Sequence, residues 1–393
     1  TLRQVAPQFA ERSRATGGYS QQDAQEAWGA VLTALKNNLG TGVSSGSEGR
    51  FVEQYMTGEM ETVTKSVEAP DEEPVVTREK WSDLKCNISS STNYMISGIN
   101  EGLEQDLEKN SPTLSRSAVY HSSSRITRLP SYLTVNLVRF FWRRDISKKT
   151  KIMRKVKFPF DLDVMDLVSD SLKKEILPLN EKLKEVDKDR RERAKVRRRV
   201  KVQKEEKEEE GRGAERDRKA GIERDPELGA EAMAKAAAAK EAKKAEGNAM
   251  EVEGGAEASG SGEKKDEEME VEGTKDGELV DEETKRKEES QLLRSLVSKN
   301  LQGDVGANLS GMYELVAIVT HKGASADGGH YIGWHRVDRT TTVGDMEDPD
   351  KAEWYRFDDE KVSTVSREKI TTLDGGGEDH SAYILLYASK KLE

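Results

Sequence analysis

A long charged segment, residues 186–288, is the feature that most constrains how this 393-residue chain can fold. It contains a basic run at residues 190–199, an acidic run at residues 205–210, and an alanine and lysine tract at residues 230–244. The segment has no aromatic residue and few bulky aliphatic ones, so it cannot bury enough apolar surface to offset the entropy lost on ordering. We therefore predict that residues 186–288 form a disordered, low-complexity insertion, apart from transient charged helix.

The composition of the whole chain supports this division and excludes several classes of protein. Charged residues make up 35% of the chain and hydrophobic residues 34%, with a mean hydropathy of -0.81, which is too polar for a fully packed protein. A net charge of -10 and a pI near 5.4 argue against general affinity for nucleic acid or anionic membranes. Because the sequence shows neither a signal peptide nor an apolar run of about 18 residues, we expect a soluble protein with no membrane partner.

Cysteine usage indicates the cellular setting. Cys86 is the only cysteine, so the chain has no disulfide framework and no Cys-rich zinc site. This pattern fits a reducing environment, the cytoplasm or the nucleus. We predict that the protein binds no metal and needs no cofactor.

The segments on either side of the insertion carry the periodic patterns of folded elements. Apolar residues recur at helical spacing from Ala24 to Leu35 and predict a helix that stops at a Gly-rich stretch. Residues 1–185 and 289–393 are predicted to form one α+β core, because each doubling of loop length adds only about 0.6 kcal/mol to the cost of closing the loop. Strands are predicted at residues 51–56, 61–67, 132–142, 158–167, 314–321, 330–337, 353–357 and 382–389, and a second helix at residues 98–108.

A histidine and an aspartate near the C-terminal end are candidates for a catalytic pair. If residues 330–337 and 353–357 form an antiparallel hairpin, reflection about Gly344 places His330 opposite Asp358 and on the same face. A carboxylate bonded to imidazole Nδ1 fixes the tautomer and leaves Nε2 to take a proton from a nucleophile. The pair thus indicates half of a hydrolytic site, although an isolated His and Asp can also belong to an ordinary hairpin.

Three short blocks follow one another along the chain. They are YSQQDAQE at residues 19–26, LVRF at residues 137–140, and Gly329, His330 and Tyr331 followed by Trp354 and by FDD at residues 357–359. In that order they resemble the ubiquitin-specific protease family of deubiquitinases. The resemblance covers nearly all of the chain outside the insertion, and it is finest with the proteasome-associated member of that family.

The resemblance implies a fold, a reaction and partners. The fold would be a papain-like cysteine protease of the ubiquitin-specific type, with fingers, palm and thumb. Residues 1–185 would supply the remainder of the thumb, the fingers and the first part of the palm, and residues 289–393 the palm sheet that carries the site. The reaction would be cleavage of the (iso)peptide bond after the C-terminal glycine of ubiquitin. The implied partners are ubiquitin, ubiquitinated proteins and the 26S proteasome regulatory particle, in the cytoplasm and nucleus.

The same resemblance assigns roles to individual residues. It implies that His330 is the general base and that Asp358 orients it. Asp359 would lie beside the site and support an anion or a bridging water, or it would be a surface turn residue. The loops at residues 140–151 and 321–328 would overhang the groove for the ubiquitin tail. The residues implied to line this groove are Gln22, Asp23, Gly328, Gly329 and Tyr331. Gln22 and Asp23 would alternatively be helix-cap residues only.

The nucleophile is the departure from the family pattern. The family's catalytic cysteine lies in an N-terminal block before the QQDA motif, and that block is not present in this chain, which starts at Thr1. We interpret the chain as a fragment that also lacks the ubiquitin-like domain. Cys86 lies in a stretch that resembles the fingers, and we expect it to be a small buried hydrophobe rather than a nucleophile. The chain as given is predicted to be catalytically incomplete.

Three alternatives remain open at this point. A serine hydrolase could use Ser44, which lies between Gly42 and Gly46, but this segment follows a helix, whereas a nucleophile elbow needs a strand-to-helix turn. A noncatalytic ubiquitin-binding scaffold follows if the missing nucleophile is taken literally. The basic run at residues 190–199 could be a nuclear import signal or a nucleic-acid patch, although the acidic runs after it favour a solvated spacer.

Overall fold

The computed structural model describes residues 10, 23–39, 51–145, 147–219, 282–325, 328–337, 353–377 and 380–392. The chain divides into two compact units, one made of Thr1–Ala194 and Asp281–Glu393 and the other of Lys195–Val280. The first unit is α+β, as predicted. In the second unit the described residues are 195–219, which continue a helix; residues 220–280 lie outside the described part of the chain.

Among the described elements, strands outnumber helices both before and after the charged segment. The helices are α1 (Ala24–Asn38), α2 (Phe51–Tyr55), α3 (Met95–Leu103), α4 (Asp170–Lys219), α5 (Glu282–Ser295), α6 (Lys299–Gln302) and α7 (Arg367–Thr371), which a 3-10 turn (Thr372–Asp374) follows. The strands are β1 (Gly58–Ser66), β2 (Val75–Trp81), β3 (Leu84–Asn87), β4 (Glu104–Ser111), β5 (Arg116–Arg128), β6 (Tyr132–Val138), β7 (Phe140–Arg143), β8 (Lys148–Lys151), β9 (Asp161–Asp163), β10 (Met312–Ser325), β11 (Gly328–Arg336), β12 (Glu353–Asp358), β13 (Lys361–Ser366) and β14 (Ser381–Ser389).

The described strands form two sheets. The larger sheet has the order β13-β12-β11-β10-β14-β6-β3, and β8 and β9 also pair with β10. The smaller sheet has the order β2-β1-β5-β4. Because β10 to β14 all come from the segment after the insertion and β3 and β6 from the segment before it, the two halves of the sequence build one sheet, as the sequence predicted.

The core lies on the central strands of the larger sheet. Leu133, Val135 and Leu137 of β6 are fully buried, which confirms the predicted strand. Cys86 lies beside Leu137 in the parallel pair of β3 and β6. Cys86 therefore belongs to the larger sheet, and its assignment to the fingers stays a prediction.

Arg139 interrupts the strand that the sequence predicted to run unbroken through residues 132–142. Its guanidinium is fully buried and donates hydrogen bonds to four backbone carbonyls, those of Ile152, Arg154, Asp374 and Ala382. Burial lowers the pKa of Arg139 to about 10, which still leaves it charged at neutral pH. The charge is thus satisfied by carbonyl dipoles, and the chain must turn at this residue to bring them around it.

Two other sequence predictions are corrected. Residues 51–55 form the helix α2 rather than a strand, because Val52 and Met56, which follows the helix directly, are four positions apart and pack on one side against Leu32 of α1. The predicted helix at residues 98–108 begins earlier and ends at Leu103, where β4 begins and pairs with β5 along its whole length. Tertiary pairing therefore overrides local helical preference in this segment.

The predicted edge strand at residues 158–167 is much shorter in the structure. Its paired part is β9, which lies against β10 with Leu162 opposite Tyr313. Leu167 and Val168, which follow, are buried outside any strand of the larger sheet. The apolar residues of this segment thus belong to the core, and only part of the predicted strand is paired.

The ends of the charged segment are folded. Val186 of α4 is buried in a cluster with Leu293 of α5. Arg190 and Arg193 of α4 both form ion pairs with Glu289 of α5, each at 2.7 Å. The prediction of disorder is therefore wrong for residues 186–194 and 282–288, where two charged helices pair. For residues 220–281 the prediction lies outside the described residues.

Candidate active site

The strands β11 and β12 bring the predicted histidine and aspartate together. Trp334 pairs with Arg356 and not with Trp354, so the register differs by two residues from the predicted one. Because side chains alternate with a period of two, a shift of two keeps each side chain on its face. His330 Nε2 lies 2.5 Å from Asp358 Oδ1.

The structure corrects which ring nitrogen meets the acid. The atom in contact with the carboxylate is Nε2 of His330 and not the expected Nδ1. Asp358 therefore favours the tautomer with the proton on Nε2 and leaves Nδ1 as the basic atom. His330 is 41% exposed, so a reactant can approach the ring.

Asp358 is held in its ionised form. The hydrogen bond from His330 is the main cause that lowers the pKa of this carboxyl, and the charges of Arg356 and His330 lower it further against the opposing effect of burial. A fixed negative charge beside the imidazole stabilises the imidazolium that forms when His330 takes up a proton. The pair can therefore act as a base with its orienting acid.

Asp359 occupies the turn that follows β12. Asp358 pairs with Lys361, so Asp359 is the first residue of a two-residue connection to β13, and its φ of 53° is left-handed. Donor atoms of His330, Asp358 and Asp359 all lie within 4.8 Å of one another, an arrangement that could hold a metal ion. The nitrogen and oxygen that join His330 to Asp358 already share a hydrogen bond, and the absence of a metal stays a prediction.

The side chains of Asp23 and Tyr331, two of the residues predicted to line the groove, have partners other than His330 and Asp358. Tyr331 follows His330 directly in β11 and so points to the opposite face, where its ring packs 4.8 Å from that of His321. Asp23 is the N-cap of α1, and its Oδ1 accepts hydrogen bonds from the Gln25 amide at 2.9 Å and from the Tyr383 hydroxyl at 2.6 Å. Both side chains have structural partners, and their contact with substrate stays a prediction.

Gln22 lies outside the described residues. Gly328 begins β11 and pairs with Ser325 at the end of β10. A Cβ on Gly329 would lie 2.3 Å from Nε2 of His321 and 2.4 Å from the Lys322 carbonyl oxygen. Glycine is therefore required at this position by the close approach of β10, whatever its part in substrate binding.

The two hairpins that the sequence placed over the groove touch each other. One is β7 with β8, and the other is the end of β10 with the start of β11. They are joined by the pairing of Ser325 with Thr150. At the base of the first hairpin, buried Lys151 donates a hydrogen bond of 2.8 Å to the His321 carbonyl, and burial lowers its pKa to about 8.

His321 itself is fully buried. Burial, with help from the charge of Lys151, lowers the pKa of His321 to about 4, so it is neutral at physiological pH. Neither of its ring nitrogens has a hydrogen-bond partner within the described part of the chain. The His321 ring packs against the rings of Phe140 and Tyr331, and it serves as an aromatic core residue next to Gly329.

Two charged or titratable residues of the site were missed by the sequence argument. Arg356 Nη2 lies 2.5 Å from Asp358 Oδ2, on the oxygen that His330 leaves free. The ring centroid of His380 lies 6.5 Å from that of His330, and burial together with nearby cations lowers its pKa to about 4. Arg356 stands two positions before Asp358 in a strand and so shares its face, a signal that was present in the sequence. His380 directly precedes β14, and no local sequence pattern places it near His330.

Cys86, the only cysteine of the chain, is buried in a place where its thiol is unreactive. Its side chain is 0% exposed, and burial raises the pKa of its thiol to about 12. A Cβ on Gly98 would lie 2.6 Å from its sulfur, which shows how closely α3 covers it. Its thiolate is thus disfavoured, as expected of a structural cysteine.

Comparison with known proteins identifies the family. The profile of the family described as "Ubiquitin carboxyl-terminal hydrolase" matches residues 1–387. The chain belongs to this family. The finding confirms the resemblance seen in the sequence and the α+β fold of the ubiquitin-specific protease type.

Individual relatives are similar over nearly the whole chain. "Ubiquitin carboxyl-terminal hydrolase 6" of Schizosaccharomyces pombe is 37% identical over 100% of this chain and 65% of its own length. "Ubiquitin carboxyl-terminal hydrolase 6" of Arabidopsis thaliana is 32% identical over 99% and 62%. A solved structure of the "SAGA Ubp8/Sgf11/Sus1/Sgf73 DUB module bound to ubiquitin aldehyde" aligns with 97% of this chain and 52% of its own, at 14% identity and a TM-score of 0.47. The chain therefore spans less than two thirds of the length of these curated relatives.

Proposed function

We propose that this chain carries the base and acid of a thiol-dependent deubiquitinase that cleaves the (iso)peptide bond after the C-terminal glycine of ubiquitin. The observation that supports this most directly is the 2.5 Å contact between His330 Nε2 and Asp358 Oδ1, where the His330 side chain is 41% exposed. Membership of the hydrolase family supports ubiquitin and ubiquitinated proteins as partners.

The reaction follows from the free nitrogen. His330 Nδ1 takes the proton of a cysteine thiol as the thiolate attacks the carbonyl carbon of ubiquitin's last glycine. The imidazolium then protonates the leaving lysine amine and leaves a thioester between ubiquitin and the cysteine. Water, deprotonated by the same nitrogen, hydrolyses this thioester, which releases ubiquitin with a free C-terminal carboxylate and returns the proton to the cysteine sulfur. Asp358 stabilises the imidazolium at each step. Since Cys86 is fully buried, we propose that the nucleophile belongs to a part of the protein outside this chain.

The groove and the cellular setting belong to the same proposal. Asp23, Tyr331, Gly328 and Gly329, together with Gln22, are proposed to contact the ubiquitin tail, with Asp359 at the edge of the site. The 26S proteasome regulatory particle is the proposed site of action, in the cytoplasm and nucleus, on the strength of the sequence resemblance to the proteasome-associated member of the family. Among the described residues, no helix is both long and apolar enough to cross a membrane.

The experiment is turnover of ubiquitin that carries a C-terminal fluorophore by the full-length gene product. We expect His330→Ala to lower kcat by roughly 10²–10⁴ while ubiquitin affinity is kept, because general base catalysis contributes about that much. The kcat of Asp358→Asn is also expected to fall severely, because the asparagine amide favours the wrong tautomer of His330. Cys86→Ala is the control and should turn over normally. Undiminished turnover in His330→Ala would refute the assignment.

The burial of Cys86 also supports a second candidate, a noncatalytic ubiquitin-binding scaffold. The same assay separates the two, since a scaffold would bind ubiquitin and release no fluorophore from the full-length protein. The serine-hydrolase alternative, which depends on Ser44, lies outside the described residues.

A further inference from the structure

Both oxygens of the Asp358 carboxylate are in use. Oδ1 accepts the hydrogen bond from His330 Nε2, and Oδ2 accepts one from Arg356 Nη2, each at 2.5 Å. A carboxylate held by a single partner can rotate about its Cβ–Cγ bond and exchange its oxygens. One held by partners on both oxygens cannot rotate without losing two charge-assisted hydrogen bonds. The orientation of Asp358 toward His330 is therefore set from two sides.

Arg356 is in turn held from the core. It pairs across the strands with Trp334, and its Cζ lies 5.8 Å from the centroid of the indole ring. Trp334 is only 2% exposed, and its Nε1 donates a hydrogen bond of 2.9 Å to Thr320 Oγ1 on β10. The indole is thus a fixed platform, and the cation over its face is restricted to the side on which Asp358 lies.

The effect of this arrangement falls on the imidazole. Asp358 is 24% exposed, so a carboxylate freed from Arg356 would be hydrated and would offer His330 a less directional acceptor. The preference for the tautomer with hydrogen on Nε2 would then weaken, and part of the population would carry its proton on Nδ1, the atom that must be unprotonated to act as a base. A planar guanidinium also fits a carboxylate oxygen better than an ammonium group does.

We propose that Arg356 is a positioning residue, which acts through Asp358 to keep Nδ1 of His330 unprotonated and facing the nucleophile. The proposal rests on the proposed function for its consequence in turnover. Its structural part, the control of the His330 tautomer, can be measured without any turnover, so the two can fail separately.

The test uses the 393-residue chain labelled with ¹⁵N in its five histidines, with His330 assigned by comparison with His330→Gln. Two-bond ¹⁵N–¹H spectra report which ring nitrogen carries the proton. We expect the ratio of the Nε2–H to the Nδ1–H tautomer to fall by roughly tenfold in Arg356→Gln, as for the loss of one charge-assisted hydrogen bond in the network. Arg356→Lys should give an intermediate ratio.

Arg336→Gln is the matched control. Arg336 lies on the same sheet, forms an ion pair with Glu314 at 2.8 Å, and is 28% exposed, compared with 33% for Arg356. This variant should leave the His330 tautomer ratio as in the wild type. In the full-length protein, Arg356→Gln should lower kcat by about tenfold with KM unchanged, and Arg356→Lys should recover part of it.

Two outcomes would overturn the proposal. One is an unchanged tautomer ratio in folded Arg356→Gln, and the other is an equal change in Arg336→Gln, which would indicate a general effect on the sheet. If instead the tautomer shifts as expected and His330→Ala retains turnover, the positioning role stands and the proposed function fails.

Discussion

At the scale of single residues, Asp359 has two explanations that the structure allows to be separated. Its carboxylate lies within 4.8 Å of the donor atoms of His330 and Asp358, which suits a part in the site. Its φ of 53° also requires a residue that tolerates the left-handed region, and aspartate, asparagine and glycine are the residues that do. The turn alone therefore accounts for the residue type.

We predict different results for two substitutions of Asp359. Asp359→Gly removes the carboxylate and keeps the turn, and it should keep turnover within about threefold of wild type, compared with a loss of roughly 10²–10⁴-fold for His330→Ala. Asp359→Ala should lower the free energy of unfolding by about 1 kcal/mol, because alanine pays the left-handed penalty. Denaturant unfolding and fluorophore release measure the two effects. Severe loss of turnover in the glycine variant would place Asp359 in the catalytic machinery.

The residue scale also shows what the sequence could predict of the site. His330 and Asp358 were found because an error of two residues in register leaves the face of a strand side chain unchanged. The choice between Nε2 and Nδ1 could not be made, because it depends on the rotamer of the ring. Gly329 was assigned to the groove, whereas its necessity comes from buried His321, a contact between strands that no local pattern reveals.

At the scale of elements, the smaller sheet contains a charged contact between β4 and β5. His121 pairs with Asp106 across the strands, its Nδ1 2.8 Å from Asp106 Oδ1 and its Nε2 3.1 Å from Glu104 Oε2. Glu104 also binds Arg125 at 2.5 Å. The hydrogen bond to Asp106 is the largest cause that raises the pKa of His121, and Glu104 contributes to the same direction.

This contact predicts a stability that depends on pH. A histidine whose pKa is raised by folding stabilises the native state fully below the unfolded pKa of about 6.5. The contribution is lost as the pH rises through the higher folded pKa of His121. We therefore expect His121→Gln to be less stable than wild type at pH 6, and the difference to shrink as the pH is raised above neutrality, in urea unfolding at each pH. A difference that grows with pH would contradict the assignment.

The acids provide the control for this pH effect. In an Asp106→Asn background, the His121→Gln substitution should have a smaller effect at pH 6, because the main partner of the imidazolium is already neutral. An effect of full size in that background would show that Asp106 is not the partner that matters.

Element prediction succeeded where a segment's own pattern agreed with its partners. The strands near residues 61–67, 314–321, 330–337, 353–357 and 382–389 are confirmed, because alternation or continuous apolar character matches their burial. The strand predicted at residues 51–56 is wrong. β-branched and aromatic residues suggest a strand there, whereas Val52 and Met56 lie one helical turn apart and face Leu32. The break at Arg139 could not be predicted, because the four carbonyls that accept its hydrogen bonds belong to other segments of the chain.

At the scale of the whole molecule, charge composition misplaces the edges of the predicted insertion. A segment rich in Arg and Glu is predicted to be disordered from its composition, because it contains few apolar residues. Here a single valine, Val186, and ion pairs from Arg190 and Arg193 to Glu289 continue the folded body by two turns beyond the predicted boundary. Glu289 is only 13% exposed, so these pairs are partly withdrawn from solvent.

These edges predict that two overlapping deletions will differ in stability. Removal of residues 195–280 cuts beside Arg193 and Glu282, whose Nε and Oε2 lie 3.1 Å apart, so a short Gly-Ser linker can close the gap. We expect this variant to unfold at the denaturant midpoint of the intact chain. Removal of residues 186–288 with the same linker takes away Val186 and both arginines and leaves Glu289 buried without them. It should lose roughly 2–4 kcal/mol, from the lost valine burial and the unpaired acid.

The pair of deletions also tests the place of the basic run. If residues 195–199 served as a binding site for ubiquitin, the 195–280 deletion would weaken ubiquitin binding without lowering stability. We expect unchanged ubiquitin binding in that variant, measured by titration of labelled ubiquitin, because the charge of Arg190 and Arg193 is already committed to α5. Equal midpoints for the two deletions would contradict the structural role of the α4 and α5 contact, since the larger deletion removes that contact and the smaller one keeps it.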